Sequence, residues 1–262
     1  MDASPDTPAE ATARRASSFG GQAAAYAAER PGYPDAAIRW ALEPVSARTP
    51  LRVLDLAAGT GKLTQGLLRT GAEVVAVEPD QAMLAELHRL LPGVRALAGT
   101  AERIPLDDES VDAVVVGQAI HWFDPERAFP EIARVLAPGG VLAGLWNHED
   151  DRVPWVRGLQ EVSESRVSFS RWHDNPRLQP SPSFPELEYE DFPSVQRRTA
   201  ESMAGTVGTH SHVLVMSDGE RAELIDRVRG YLRATRETAN GEFDLPLVTQ
   251  AVRGVRPGGP RA

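Results

Sequence analysis

The stretch Val53–Leu63, with the sequence VLDLAAGTGKL, decides the fold of this chain. Its apolar run ends at Asp55, a turn of small residues contains Gly59 and Gly61, and helical spacing of apolar residues follows. Glycine adopts backbone angles that other residues rarely reach, and its lack of a side chain lets a ligand approach the main chain closely. The stretch therefore predicts a strand, a tight ligand-binding loop and the start of a helix.

Strands and helices are predicted to alternate from residue 51 to residue 146. The strands are expected at 51–56, 73–77, 94–98, 111–117 and 141–146, and the helices between them at 64–70, 81–91 and 125–136. The strand at 111–117 is almost wholly apolar, as expected for a strand that is buried on both faces. Such alternation predicts an α/β chain with a doubly wound, mostly parallel sheet.

The segments around this core complete the predicted domain organisation. Residues 17–48 predict helices, one of them from Asp35, its cap, to Leu42. These helices either pack on the core or form a lid whose Tyr26, Arg30 and Tyr33 face a ligand. The predicted domains are a disordered tail (1–16), an N-terminal helical lid (17–48), a ligand-binding core (49–150), a substrate-side insertion after the fifth strand that includes the sixth strand (151–215), the last helix and last strand of the core (216–253) and a tail (254–262).

The composition excludes several classes of function. The chain has 262 residues, of which 42% are hydrophobic, so it can bury a sizeable core. It has no cysteine, which excludes disulfides, thiolate metal sites and cysteine nucleophiles. The net charge of −9 disfavours binding to a phosphate backbone. No apolar run reaches the ~20 residues that span a bilayer, and the start lacks the apolar core of a secretory signal. We therefore expect a cytoplasmic protein that binds neither membranes nor nucleic acid.

Acidic residues at two neighbouring strand ends narrow the class of ligand. Asp55 ends the first predicted strand and Glu78 ends the second. A glycine-rich turn after a first strand is typical of sites for dinucleotides or S-adenosylmethionine. Asp55 would repel a pyrophosphate but suits an ammonium or a sulfonium, and Thr64 would crowd the close helix–strand packing of a dinucleotide loop. Because Glu78 can bind the ribose hydroxyls of either ligand, the residues predict a nucleoside site and favour S-adenosylmethionine.

Further candidate residues follow the later strands. Met83 is a candidate contact for the adenine, or a core residue of its helix. Gln118, His121 and Trp122 follow the fourth strand, at the rim where a methyl acceptor would bind. His148 follows the fifth strand and is expected to face the same pocket. No histidine or carboxylate spacing indicates a metal site.

On these motifs the chain resembles the class I S-adenosylmethionine-dependent methyltransferases, and within them the branch of the ubiquinone/menaquinone-biosynthesis and trans-aconitate methyltransferases. The matching motifs cover residues 51–147 well, and the C-terminal half matches only in outline. They are VLDLAAGTGKLT, VVAVEPDQAML, ALAGTAERIPL, SVDAVVVGQAIHWFD and EIARVLAPGGVLAGLWN, with FGGQAAAYAAERPGYP upstream as the expected lid.

The resemblance implies a Rossmann-like, mostly parallel seven-stranded sheet and a role for each matching residue. Asp55, Gly59 and Gly61 would line the methionine end of the cofactor, Glu78 would hold the ribose, and Gln118 would lie beside the sulfonium. The adenine contacts implied are Met83, Thr100, Ala101 and Glu102. The lid contacts implied are Tyr26 and Arg30 to the cofactor, and the acceptor contacts expected are Tyr33, Trp122, Trp146 and His148. Two positions depart from the usual pattern, because Ala57 replaces a glycine and Thr100 replaces an aspartate.

The expected reaction is in-line transfer of a methyl group to a small-molecule acceptor, at an oxygen, carbon or nitrogen atom. Proximity and orientation supply much of such catalysis. His121 is the candidate base, because an ordinary histidine pKa of ~6.5 suits proton removal. The protein is expected to be a monomer or a homodimer. The alternatives are a non-methylating S-adenosylmethionine-binding protein, such as a cyclase or pseudoenzyme, and an NAD-dependent dehydrogenase.

Overall fold

The computed structural model describes residues 31–163, 178–208, 213 and 216–258. The predicted N-terminal tail and the lid residues Tyr26 and Arg30 lie outside the described residues. In the part of the chain that the structure describes, no helix is long and apolar enough to cross a membrane.

The described strands form one seven-stranded sheet in the order β3-β2-β1-β4-β5-β7-β6. The strands are β1 (Arg52–Leu56), β2 (Glu73–Glu78), β3 (Arg95–Ala98), β4 (Val111–Gly117), β5 (Leu136–Glu149), β6 (Glu188–Thr199) and β7 (Glu242–Val255). Strands β1 to β5 pair in parallel, and β7 pairs antiparallel with β5. The predicted Rossmann-like, doubly wound and mostly parallel sheet is therefore confirmed.

Helices α2 (Lys62–Leu68), α3 (Gln81–Leu90) and α4 (Pro125–Val135) connect parallel strands, as the alternation predicts. Helix α1 (Asp35–Leu42) precedes β1, and α5 (Pro154–Ser163), α6 (Ala200–Gly208) and α7 (Asp218–Ala234) follow β5. Short 3-10 turns span Glu43–Val45 and Ile120–Trp122. Helix α6 was not predicted from the sequence.

Side chains cap the starts of α4 and α7, and the cap predicted for α1 is absent. The Asp124 side chain accepts a hydrogen bond from Glu126 N at the start of α4, and Ser217 forms a capping box at the start of α7. The prediction that Asp35 caps α1 is wrong. The cap position of α1 belongs to Pro34, and the Asp35 carboxylate instead accepts from Arg69 at 2.7 Å.

Both faces of the sheet are covered in the larger of two compact units. This unit consists of the described residues within Pro31–Glu149, Arg171–Ser194 and Leu247–Ala262. One apolar cluster includes Val53 and Val115 with helices α1 and α2, and a second includes Leu54 and Val114 with helix α4. Successive residues of a strand point to opposite faces. The apolar run of β4 is therefore explained by packing on both sides.

The smaller unit consists of the described residues within Asp150–Ser170 and Val195–Pro246, and it contains α5, α6 and α7. The Tyr231 hydroxyl of α7 donates a hydrogen bond to Trp155 O of α5 at 2.8 Å. The Trp155 ring also packs edge-on against Phe243, with 5.6 Å between ring centroids. The domain boundaries predicted from the sequence stay a prediction.

Candidate functional site

The loop between β1 and α2 is built from left-handed backbone conformations. Ala57 has φ 58°, Gly59 has φ 55° and Gly61 has φ 87°. For a residue with a side chain this conformation costs about 1–2 kcal/mol, so Ala57 holds local strain. The loop is fixed by hydrogen bonds from Ala58 N to Val77 O at 3.1 Å and from Gly61 N to Ala58 O at 2.9 Å.

The two glycines of this loop have different surroundings. A Cβ atom added at Gly59 would meet no atom within 4 Å, so space lies open above the main chain there. A Cβ atom added at Gly61 would lie 2.9 Å from Leu91 Cδ1 and 3.2 Å from Leu87 Cγ. Gly61 is therefore needed for packing against α3, whereas Gly59 leaves room for a ligand.

Asp55 is buried at the carboxyl end of β1, with 1% of its surface exposed. Its carboxylate accepts a hydrogen bond from the Thr64 hydroxyl at 2.5 Å. Burial raises the pKa of Asp55 to about 7; the Thr64 hydrogen bond opposes this rise, and the nearby Glu78 charge adds to it. The sequence argument considered only the bulk of Thr64 and did not include this hydrogen bond. Thr64 is fully buried, and it serves as the partner of Asp55.

Glu78 connects the end of β2 to the glycine-rich loop. One carboxylate oxygen accepts from Gly59 N at 2.8 Å and the other accepts from Asp80 N at 2.9 Å. Only 6% of the residue is exposed. Burial raises the pKa of Glu78, the two backbone hydrogen bonds lower it, and the charge of Asp80 raises it. Each oxygen retains a lone pair for a hydroxyl donor.

Asp55 and Glu78 lie at the ends of paired strands, because Asp55 is in register with Ala76 and Leu56 with Val77. These two buried carboxylates at one edge of the sheet repel each other, and among the described residues neither forms an ion pair with a lysine, arginine or histidine. An ammonium group would relieve the burial cost of Asp55, and vicinal hydroxyls would complete the hydrogen bonding of Glu78. The chemistry of this edge therefore fits a cationic ligand that carries a ribose.

The residues expected at the adenine occupy different environments. Met83 and Ala101 are each 4% exposed, whereas Thr100 is exposed. The Met83 amide is bound to the side chain of Asp80, which caps α3. The Glu102 carboxylate accepts from Asp124 N at 3.1 Å, which engages Glu102 with the start of α4.

Gln118 follows β4 in a left-handed conformation with φ 59°. Its backbone amide donates to Leu145 O at 2.9 Å, and its side-chain amide donates to Asn147 O at 3.0 Å. Non-glycine residues in this region of φ cluster at functional sites, where surrounding contacts hold them. The structure thus fixes Gln118 at the carboxyl end of β4, on the edge where Asp55 lies.

His121 and Trp122 lie in the 3-10 turn that follows Gln118. Their rings are in contact, with 4.7 Å between centroids. Partial burial of the ring lowers the pKa of His121 to about 4, although the residue as a whole is exposed to solvent. The pKa of ~6.5 assumed in the sequence argument is therefore wrong for this environment, and the imidazole is neutral at physiological pH.

The expected acceptor contacts are distributed over the ends of β4 and β5. The Tyr33 ring covers Gly117, since a Cβ atom added at Gly117 would lie 2.5 Å from the Tyr33 hydroxyl oxygen. The Trp146 ring similarly covers Gly144, at 2.7 Å from an added Cβ atom. Trp146 Nε1 is buried and has no hydrogen-bond partner among the described residues. His148 is half-buried.

Asn147 was missed by the sequence argument, although Trp146 and His148 on either side of it were named. Its side chain donates to Gly32 O at 3.0 Å and accepts from the Thr249 hydroxyl at 2.6 Å. The available signal was an amide residue at the carboxyl end of the fifth predicted strand. No group of three histidine, aspartate or glutamate residues that could hold a metal ion occurs within the described ranges.

The chain is similar to known proteins over most of its length. Residues 54–144 match a family model described as a methyltransferase domain. An uncharacterised methyltransferase of Mycobacterium tuberculosis is 44% identical over 245 residues, which cover 90% of this chain and 94% of that protein. The solved structure of a protein described as a type II methyltransferase from Anaeromyxobacter dehalogenans has a TM-score of 0.69 at 29% identity, covering 87% of this chain and 97% of that chain.

One relative has a more specific name. A demethylmenaquinone methyltransferase of Beutenbergia cavernae is 40% identical over 119 residues, which cover 45% of this chain and 48% of that protein. The similarity therefore concerns about half of each chain.

Proposed function

This chain belongs to the class I S-adenosylmethionine-dependent methyltransferases, and from this we propose that it transfers a methyl group from S-adenosylmethionine to a small-molecule acceptor. The family and the fold imply S-adenosylmethionine as the methyl donor. The acceptor class and the roles of individual residues are our proposal.

The observation that carries the proposal is the pair of buried carboxylates beside the open space above Gly59. Asp55 and Glu78 both have raised pKa values because of burial. A ligand with an ammonium group and two ribose hydroxyls matches both side chains. A dinucleotide would bring a pyrophosphate to the loop beside Asp55, where a second negative charge is unfavourable.

We assign the binding of the donor to residues at or just after the carboxyl ends of strands β1, β2, β3 and β4. Asp55 attracts the ammonium group, Glu78 accepts from the ribose hydroxyls, and Gly59 gives the ligand access to the main chain. Met83, Ala101 and their neighbours Thr100 and Glu102 form the adenine side. Gln118 lies towards the reacting end. S-adenosylmethionine supplies a methyl group on a cationic sulfur, so the protein contributes chiefly orientation and exclusion of water.

His121 is the proposed base for acceptors that lose a proton. Its neutral imidazole can accept a hydrogen bond or a proton at pH 7, but its low pKa makes it a weak base. It therefore suits an acceptor that is acidic or that loses its proton late in the transfer. The proposed acceptor contacts are Tyr33, Trp122, Trp146 and His148, together with lid residues Tyr26 and Arg30 as donor contacts.

A small acceptor is supported by charge and by one named relative. The chain carries a net charge of −9, and the guanidinium of Arg197 is paired with Glu242 at 3.3 Å and Asp244 at 3.2 Å. Neither feature favours nucleic acid. The demethylmenaquinone methyltransferase indicates by its name a small quinone acceptor for that relative. We propose a cytoplasmic enzyme that acts as a monomer or a homodimer.

The test is methyl transfer from S-adenosylmethionine that carries an isotope label in its methyl group. The protein is incubated with a panel of phenols, carboxylic acids, amines and quinones, and the products are analysed by mass spectrometry. A labelled product and equimolar S-adenosylhomocysteine support the proposal. Binding of the donor without any transfer across the panel would favour a non-methylating protein, and a labelled nucleic acid in a parallel reaction would contradict the acceptor class.

A further inference from the structure

Asn147, near the end of β5, connects three separate segments of the larger unit by hydrogen bonds. Its side-chain nitrogen donates to Gly32 O at 3.0 Å, across 115 positions of sequence. Its side-chain oxygen accepts from the Thr249 hydroxyl at 2.6 Å. Its backbone oxygen accepts from the Gln118 side chain at 3.0 Å. One residue therefore joins the segment before α1, the end of β4 and strand β7.

The bond from Asn147 to Gly32 restricts the next residue, Tyr33. Because Tyr33 is followed by Pro34, its backbone is confined to extended conformations. With Gly32 O anchored and the backbone so confined, the Tyr33 ring has little freedom to leave its place. That place is against Gly117, where an added Cβ atom would lie 2.5 Å from the Tyr33 hydroxyl oxygen.

Thr249 and Gly32 O each favour the same orientation of the Asn147 amide. Thr249 is fully buried, and it lies directly opposite Asn147 in the register of β5 and β7. The Thr249 hydroxyl donates to the amide oxygen, so the amide nitrogen is directed to Gly32 O, which can only accept. Because Gly32 O can bind only the amide nitrogen, the contact with Gly32 persists when the Thr249 hydroxyl is removed, and the two hydrogen bonds can be tested separately.

We infer that Asn147 is a positioning residue, which holds Gly32 and thereby keeps Tyr33 over Gly117, where this proposed acceptor contact also closes one side of the donor site beside Gln118. This inference rests on the proposed function, because it takes the ends of β1, β2 and β4 to bind S-adenosylmethionine. A segment that is not anchored must be ordered when the ligand binds. The apparent Kd then equals the Kd of the ordered protein divided by the fraction of molecules in which the segment is already in the competent arrangement.

The first experiment compares Asn147→Asp with Thr249→Val. Asn147→Asp keeps the acceptor for Thr249 and sets an oxygen against Gly32 O, whereas Thr249→Val removes the other hydrogen bond and leaves the Gly32 contact. We expect Asn147→Asp to raise the Kd for S-adenosylhomocysteine about five- to tenfold, as for a competent fraction of roughly 0.1–0.2. We also expect faster amide exchange in residues 31–38 of the ligand-free protein. Thr249→Val should change both quantities less than about twofold.

The second experiment tests whether Asn147 acts through Tyr33. Tyr33→Leu retains an apolar side chain in the core, and Asn147→Asp is measured in the wild-type and in the Tyr33→Leu background. If Asn147 acts by placing Tyr33, Asn147→Asp changes the Kd less than about twofold once Tyr33 is replaced. A full effect in both backgrounds would overturn the inference, and so would equal changes in Kd for Asn147→Asp and Thr249→Val.

The exchange measurement separates this inference from the proposed function. Failure of the wild-type protein to bind S-adenosylhomocysteine would contradict the proposed function. The exchange of residues 31–38 is measured without ligand, so it decides the anchoring role in either case. Unchanged exchange in Asn147→Asp would overturn that role.

Discussion

Replacing Asp55 by asparagine separates the cost of this carboxylate to stability from its benefit to ligand binding. The pKa of Asp55 is about 7 in the folded chain, against an ordinary value of 3.8. The folded state therefore binds the proton more tightly than the unfolded state does. Stability from this group is greatest below the ordinary pKa and falls as pH rises through the folded pKa.

The expected size of the effect follows from the two pKa values. Between pH 5 and pH 8 the wild-type protein loses on the order of 2–3 kcal/mol of stability through Asp55, because the unfolded chain is already ionised at pH 5 whereas the folded chain ionises near pH 7. The amide of Asp55→Asn does not titrate, and it can still accept from the Thr64 hydroxyl. We expect the difference in free energy of unfolding, variant minus wild type, to increase by this amount between pH 5 and pH 8.

Denaturant unfolding of both proteins at the two pH values measures this difference without ligand. Other titrating groups are shared by the two proteins, so they cancel in the comparison. The difference in melting temperature, variant minus wild type, should be roughly 5–10 °C larger at pH 8 than at pH 5, given about 2–4 °C per kcal/mol for a chain of this size. The same variant should bind S-adenosylhomocysteine about tenfold or more weakly, because a charged hydrogen bond is lost. Parallel pH profiles for the two proteins would refute the argument.

Three further predictions concern the loop and the rim. Gly59→Ala should raise the Kd for S-adenosylhomocysteine about tenfold or more and cost only about 1 kcal/mol of stability through backbone strain. Gly61→Ala should cost about 1–3 kcal/mol of stability, because its Cβ atom would lie 2.9 Å from Leu91 Cδ1. Calorimetry measures the Kd and denaturant unfolding measures the stability, and equal behaviour of the two variants would contradict the assignment. Ala57→Gly should increase the free energy of unfolding by about 0.5–1 kcal/mol by relieving a left-handed alanine, and a loss of stability would count against that strain. With saturating donor, kcat should show no inflection from His121 between pH 6 and 7.5, because its pKa is about 4; an inflection near pH 6.5 that disappears in His121→Asn would show the opposite.

The fold could be predicted because its signals are local in the sequence. The strand at 111–117 was predicted to the residue, since an uninterrupted apolar run needs burial on both faces. The start of α4 at Pro125 was likewise predicted to the residue, and the structure shows Asp124 as its cap and proline at its first position. Asp55 and Glu78 were identified from their places at strand ends.

The site was less predictable, because its properties depend on residues that are distant in the sequence. The contact of Asn147 with Gly32 arises only when β5 lies beside the segment before α1. The lowered pKa of His121 depends on the protein that surrounds the ring, which no local pattern reveals. Thr64 was judged by its bulk alone, and its hydrogen bond to Asp55 was not foreseen. These three properties were missed for the same reason, because each depends on how separate elements pack together.

Calorimetric titration of the wild-type protein with S-adenosylhomocysteine and, separately, with NAD tests the central claim most directly. The claim is that the edge formed by Asp55, Glu78 and the Gly59 loop binds the nucleoside of S-adenosylmethionine. We predict one site per chain for S-adenosylhomocysteine, with a Kd on the order of 1–100 μM, which corresponds to about −8 to −5.5 kcal/mol. We also predict that Asp55→Asn weakens this binding and that NAD gives no binding heat. Saturable NAD binding, or S-adenosylhomocysteine binding that is unchanged in Asp55→Asn, would contradict the account.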